Sequence, residues 1–149
     1  MLERNFLEQL LLIDNIDTIK LMIEEELKYY PKNEEYIVLK TFGFSNNYMY
    51  DKTYKKTPAY LNWCKIFKGL INQVKDQIPN IDDSKKIGLW LRFDHFEKFD
   101  VSNFIKAVQD RITQELGIED NKVQIMECKT NNYITDVRDS RIYFYIKNI

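Results

Sequence analysis

The chain has 149 residues, 44% of them apolar, enough to bury one sizeable core, and a net charge of −1 that carries no global signature of a polyanion partner. No run approaches the roughly 18 apolar residues of a membrane span, and the opening MLERNFLEQLL carries acids inside its apolar part, unlike a secretory leader, so a cytoplasmic protein with no membrane partner is expected. Cys64 and Cys128 are far apart and have no CxxC or histidine-cluster spacing, which argues against a disulfide framework and a zinc site.

Residues 4–29 read as helix, with Leu7, Leu10, Leu11, Ile16, Ile19, Leu21, Met22 and Leu27 apolar and a possible break at Asp14-Asn15, where Asp17 or Asn15 starts a second segment. This part is acidic: residues 1–40 hold nine acids against five bases, a balance of −4. Pro31 ends it, and EEYIVLKTFGF then alternates as a strand, roughly residues 35–43. SNNYMYDKTYKKTPAY reads as a loop in which Tyr48, Tyr50 and Tyr54 interleave with Lys52, Lys55 and Lys56. Across residues 41–75 six lysines face only Asp51, a local balance of +5 that suits phosphate contact. A helix follows from Thr57 or Pro58 to about residue 78. Its inner stripe is Tyr60, Leu61, Cys64, Phe67, Leu70, Ile71 and Val74, with Trp63 at the edge.

IGLWLRFDHF reads as a central strand with Ile87, Leu89, Leu91 and Phe93 on one side. His95 is the sole histidine. It titrates near neutrality when unperturbed, but no serine or cysteine nucleophile motif accompanies it. Next comes FDVSNFIKAVQDRITQELGIEDN. Asp100, Ser102 and Asn103 offer capping oxygens, Phe104, Ile105, Val108, Ile112 and Leu116 recur at helical steps, and Gly117 fits the left-handed position past the end. Lys106 and Asp110, four apart, share a face, and Glu119-Asp120 lead into the apolar strand KVQIMECKT. That strand and SRIYFYIKNI, joined by NNYITDVRD, read as an antiparallel hairpin with Lys129, Arg138 and Arg141 near its ends.

The element order, α-β-α-β-α-β-β, predicts an α+β single domain: a mixed four-stranded sheet with two long helices mainly on one face, plus N-terminal helices. Residues 1–30 form a helical extension and 35–149 the core. Carboxylates gathered from a strand end, a helix start and the next strand start are the oxygen donors a hard divalent cation takes. Singly, each has a plainer reading: a helix cap, a surface ion pair, a turn.

The pattern Asp-x-x-Asn-x-x-Lys-Ala-x-x-Asp, then Glu-Asp-x-x-Val, resembles the core of the RusA family of Holliday-junction resolvases, which runs Asp-x-Asp-Asn-x-x-Lys-Ala followed by Asp-Asp and a strand. Asp100 matches the first metal-binding aspartate, Asn103 the asparagine, Lys106 the lysine, Asp110 the helix aspartate and Glu119-Asp120 the acidic pair. Ser102 stands where the family has a second metal-binding aspartate. The loop of tyrosines and lysines is similar in composition to the family's loop between the first strand and a long helix.

The resemblance implies a homodimeric endonuclease that cuts branched DNA with Mg2+ or Mn2+. Asp100 and Asp120 would be metal ligands, Glu119 an auxiliary one and Lys106 a phosphate stabiliser, with Ser102, Asn103 and Asp110 orienting the others. Lys52, Lys55, Lys56, Tyr54, Lys129, Arg138 and Arg141 would contact DNA. Ser102 motivates the alternative, a catalytically degenerate relative that binds DNA or protein. The acidic N-terminal helices offer a surface for a protein partner.

Overall fold

A computed structural model describes residues 4–11, 20–21, 23–24, 27–28 and 30–149. The chain divides into two compact units, Met1–Glu35 and Tyr36–Ile149. In the first, α1 (Arg4–Leu10) is described, and Leu7, Ile23 and Tyr30 form a small apolar cluster with Leu11 and Leu27 beside it. The expected break at Asp14-Asn15 and the positions Ile16, Asp17, Ile19 and Met22 lie outside the described residues.

The second unit is a mixed four-stranded sheet with two long helices. The strands are β1 (Ile37–Leu39), β2 (Ile87–His95), β3 (Val123–Tyr133) and β4 (Arg141–Asn148), and the helices are α2 (Pro58–Val74) and α3 (Ile105–Leu116). The sheet order is β1-β4-β2-β3. β2 pairs with β3 in parallel, from Ile87 opposite Val123 to His95 opposite Tyr133, and β4 runs antiparallel to both β1 and β2. The terminal hairpin expected from the sequence is therefore not formed: β3 and β4 are split by β2. A β2–α3–β3 crossover lets β3 lie parallel beside β2, and β4 takes β2's other edge.

Local chemistry accounts for the helix ends. Thr57 accepts from the Tyr60 N–H at 3.2 Å, Pro58 occupies the first turn, and Gly117 closes α3 with φ 67°, the left-handed position anticipated for it. α2 ends at Val74 and continues as a 3₁₀ turn over Lys75–Gln77. β1 is shorter than the expected 35–43, because the chain turns at Thr41 and Gly43 then passes so close to Phe104 that a Cβ would lie 2.6 Å from its ring. Trp63, expected at the edge of α2, is 1% exposed and donates its indole N–H to the Phe42 carbonyl at 2.8 Å. Leu61, expected inside, is 47% exposed.

Leu89, Leu91, Phe93, Phe144 and Ile146 pack with Phe67, Ile71, Val108 and Ile112 in one core. The other set of β2 side chains, Trp90, Arg92 and Asp94, is buried as well, in polar and aromatic company. Arg92 Nε donates to Glu127 Oε1 at 2.7 Å, the Tyr36 hydroxyl donates to the same oxygen at 2.7 Å, and the guanidinium lies 4.4 Å from the Tyr36 ring centre. Tyr143 and Asn131 both donate to the Asp94 carboxylate. Removing one partner of a buried pair leaves the other charge uncompensated, so Glu127→Ala should lower the free energy of unfolding by about 3 kcal/mol in urea titration. Loss of less than about 1 kcal/mol, the worth of an exposed pair, would show that the ion pair is not buried in solution.

Candidate functional site

A groove of about 550 Å³ runs along α3. Lys106, Asp110, Thr113 and Gln114, spaced by helical steps, form its floor. Glu119, Asp120 and Asn121 close one end, and Tyr50, Lys56 and Tyr60 form the facing wall. Lys106 Nζ pairs with Asp110 at 3.3 Å, and Glu119 lies 4.0 Å from Lys122. No hydrogen bond or ion pair engages the Asp120 carboxylate among the described residues; its backbone carbonyl accepts from Gln109 at 3.5 Å. Arg111, also in the lining, reaches Glu115 only at 3.9 Å and keeps a buried Nε without a partner.

Asp100 is elsewhere. It caps the 3₁₀ turn Val101–Phe104 at the start of α3, its Oδ1 accepting from the Ser102 N–H at 3.0 Å and the Ser102 hydroxyl at 2.8 Å. These bonds hold its carboxyl below the usual carboxylate range. Asp100 follows the end of β2, whereas Asp120 precedes Val123, which lies opposite the start of β2. The 12 residues of α3 alone rise about 18 Å between them. A single cation shared by Asp100 and Asp120, the arrangement the sequence suggests, is thus not assembled within one chain. Lys106 and Asp110 line the groove that Asp120 closes, and Asp100 is not in its lining.

The loop after β1 is ordered by its own side chains. Asp51 Oδ1 accepts from the Thr53 N–H and hydroxyl and the Lys55 N–H, Tyr50 bridges Lys56, and Met49 is fully buried. This brings Lys56 to the groove and leaves Lys52 and Lys55 exposed, outside its lining. Tyr54 sits at the tip with φ 61° and is 89% exposed.

The remaining basic candidates lie apart from the groove. Lys129 pairs with Glu127 at 3.9 Å, Arg138 with Asp136 at 2.7 Å, and Arg141 donates to the Arg138 and Ser140 carbonyls. Asn103 does not line the groove either.

Tyr50, Tyr60, Arg111, Thr113, Gln114 and Asn121 belong to the groove but are not singled out by the family pattern. Arg111, Gln114 and Asp110 could have been found as one helical face. Burial raises the Tyr60 hydroxyl well above its ordinary range, with nearby Cys64 adding to the shift. Burial also pushes the Cys128 thiol up to about 12; Cys64 and Cys128 are both free thiols.

No protein-family model matches the sequence, and no curated protein matches it. Among the described residues no helix is long and apolar enough to cross a membrane.

His95 is 4% exposed, and burial lowers its pKa below the ordinary 6.5, outweighing the opposing pull of the Phe96 backbone, Asp94 and Asp100. A base whose folded pKa is depressed binds its proton more weakly in the fold than in the unfolded chain. Its contribution to stability is complete above pH 6.5 and declines as the pH falls from there toward the folded pKa. NMR titration of this sole histidine should give a midpoint below 6.5 in the folded protein and near 6.5 in denaturant. Equal midpoints would show that the ring is hydrated.

Proposed function

We propose that this chain is a divalent-metal-dependent endonuclease acting on branched DNA, as the likeness to the RusA family implies. The observation that supports the reading is the groove: Lys106, Asp110, Glu119 and Asp120 of the motif share it with Lys56 from the lysine-rich loop.

Among the described residues no three acidic, histidine or cysteine side chains gather into a ready-made metal cage. Magnesium does not require one, since it commonly takes one or two carboxylates and completes its shell with water and phosphate. Asp120, with an uncommitted carboxylate, and the neighbouring Glu119 fit that role. When bound there, Mg2+ or Mn2+ would polarise a phosphate oxygen and lower the pKa of a bound water. Lys56 and Lys106 neutralise the non-bridging oxygens, and Asp110 fixes the Lys106 ammonium through their ion pair. Tyr50 packs against sugar at the same wall. Lys52, Lys55 and Tyr54 extend the contact to flanking phosphates and bases. A homodimer in the cytoplasm would present two such grooves to a junction that is itself two-fold symmetric.

A second reading is favoured by one local fact. Ser102 replaces an anionic ligand with a hydroxyl, and that hydroxyl is bonded to Asp100, so the start of α3 works as a cap. A relative that retains DNA binding and has lost cleavage would look like this. Its acidic N-terminal segment could then serve a protein partner.

A synthetic four-way junction incubated with millimolar Mg2+ or Mn2+ tests both. Wild type should cut, and Asp120→Asn should lose cutting by at least about a hundredfold while still binding. Lys56→Ala should weaken binding and flatten its log-log salt dependence by about one unit. Binding without cutting at any concentration of either metal would establish the second reading. Absence of binding at low salt would end both.

A further inference from the structure

The groove along α3 holds one cation whose hydrogen-bond donors the chain leaves unused. Arg111 stands five residues on from Lys106, about 7.5 Å further along the helix axis, and lines the groove with Lys56, Tyr60 and Gln114. Its side chain is only 12% exposed. A guanidinium carries five N–H donors in a planar fork, and one so withdrawn from water ordinarily donates most of them to carbonyls or carboxylates. Among the described residues none of the five has a hydrogen-bond partner: Nε is buried and unpaired, and the Glu115 carboxylate lies 3.9 Å from Nη1, beyond hydrogen-bond length.

Nε itself is sealed from solvent and offers a ligand nothing. The two terminal nitrogens also lack hydrogen-bond partners but are not sealed with it, so the open end of the fork is the end the groove can reach. Tyr60 locates that end. Burial, with Cys64 beside it, raises the Tyr60 hydroxyl above its ordinary range, and the positive charge of Arg111 opposes the rise, which puts the guanidinium near the tyrosine wall of the groove. Acids are close as well: Asp110 is engaged by Lys106 at 3.3 Å, and Glu119 and Asp120 close one end. An anion entering past them needs a matching donor set, and Lys56, Lys106 and Arg111 supply three positive charges in one lining.

On the nucleic-acid reading above, on which this contact rests, we propose that Arg111 grips a backbone phosphodiester of the bound DNA strand, its terminal nitrogens donating to two phosphate oxygens beside Lys56 and Lys106. Two oxygens of one phosphate match the spacing of the fork, a match that the single point charge of a lysine does not reproduce. A side chain already held by its surroundings also loses little freedom on binding. The motif assigns nothing to this position, so the grip is a property of this chain.

The plainer role for Arg111, an ion pair with Glu115 four residues on, makes the opposite predictions. Binding of a synthetic four-way junction to the full chain at low salt decides between them. Arg111→Lys should weaken binding about tenfold although the charge is kept, with the log-log salt slope unchanged, and Arg111→Gln should also flatten that slope by about one unit. Glu115→Gln should leave binding as it is or tighten it. In NMR spectra of the wild type the Arg111 Nε–H signal should move when the junction is added, and this measurement decides alone if a variant does not fold. Binding by Arg111→Lys equal to wild type, weakening by Glu115→Gln as large as that by Arg111→Lys, or an unmoved Nε–H signal would overturn the phosphate grip while leaving the groove reading intact. A junction that fails to bind at all would remove both.

Discussion

The parallel pairing of β2 with β3 is the constraint on which the arrangement of chemistry depends. Two parallel neighbours must be joined by a crossover that returns the chain to the sheet end where the first strand began. Here that crossover is α3, so whatever follows β2 and whatever precedes β3 are held apart by the length of a helix. Asp100 and Asp120, close in a written motif, are thereby assigned different tasks. The first caps the helix start with Ser102, and the second faces a groove beside Lys56, Lys106 and Glu119.

The sheet supports this by being specified on both faces. Its helix face is an apolar core in which Phe67, Ile71, Leu91, Phe93, Val108 and Phe144 meet. The opposite set of β2 side chains is satisfied by charge and hydroxyl partners: Arg92 by Glu127 and Tyr36, Asp94 by Tyr143 and Asn131. Burying these groups is tolerable only because they are paired, and the pairs tie β2 to both of its neighbouring strands. The same burial pushes the Tyr143 hydroxyl up to about 12, assisted by Asp94. Fixing β2 so firmly also fixes α3, and with it the groove that runs along the helix.

Much of the fold was legible in the sequence because its signals are local. Thr57-Pro58 and Gly117 mark helix ends through backbone chemistry, and the alternation of β4 reports one buried face. Strand partnership is a long-range matter, so the adjacency of two apolar strands suggested a hairpin where β2 in fact intervenes. Trp63 was misplaced for a related reason: its indole N–H finds the Phe42 carbonyl, a contact across 21 residues that helical periodicity does not reveal. In the groove, Lys106 and Asp110 were visible as a four-residue pair, but Tyr50, Tyr60 and Arg111 come together only through packing. His95 has no nucleophile motif beside it in the sequence, and the Phe104 and Tyr133 rings that meet it edge-on are brought there only by the fold.

In the function proposed above, the carboxylates beyond the C-terminal end of α3, not Asp100 at its start, would hold the cation. Paramagnetic broadening by substoichiometric Mn2+ in amide NMR spectra tests this directly, because signals nearest the ion fade first. Glu119, Asp120 and Asn121 should fade first, and Asp120→Asn should restore them. Early fading centred on Asp100 and Ser102, with Asp120 untouched, would contradict it.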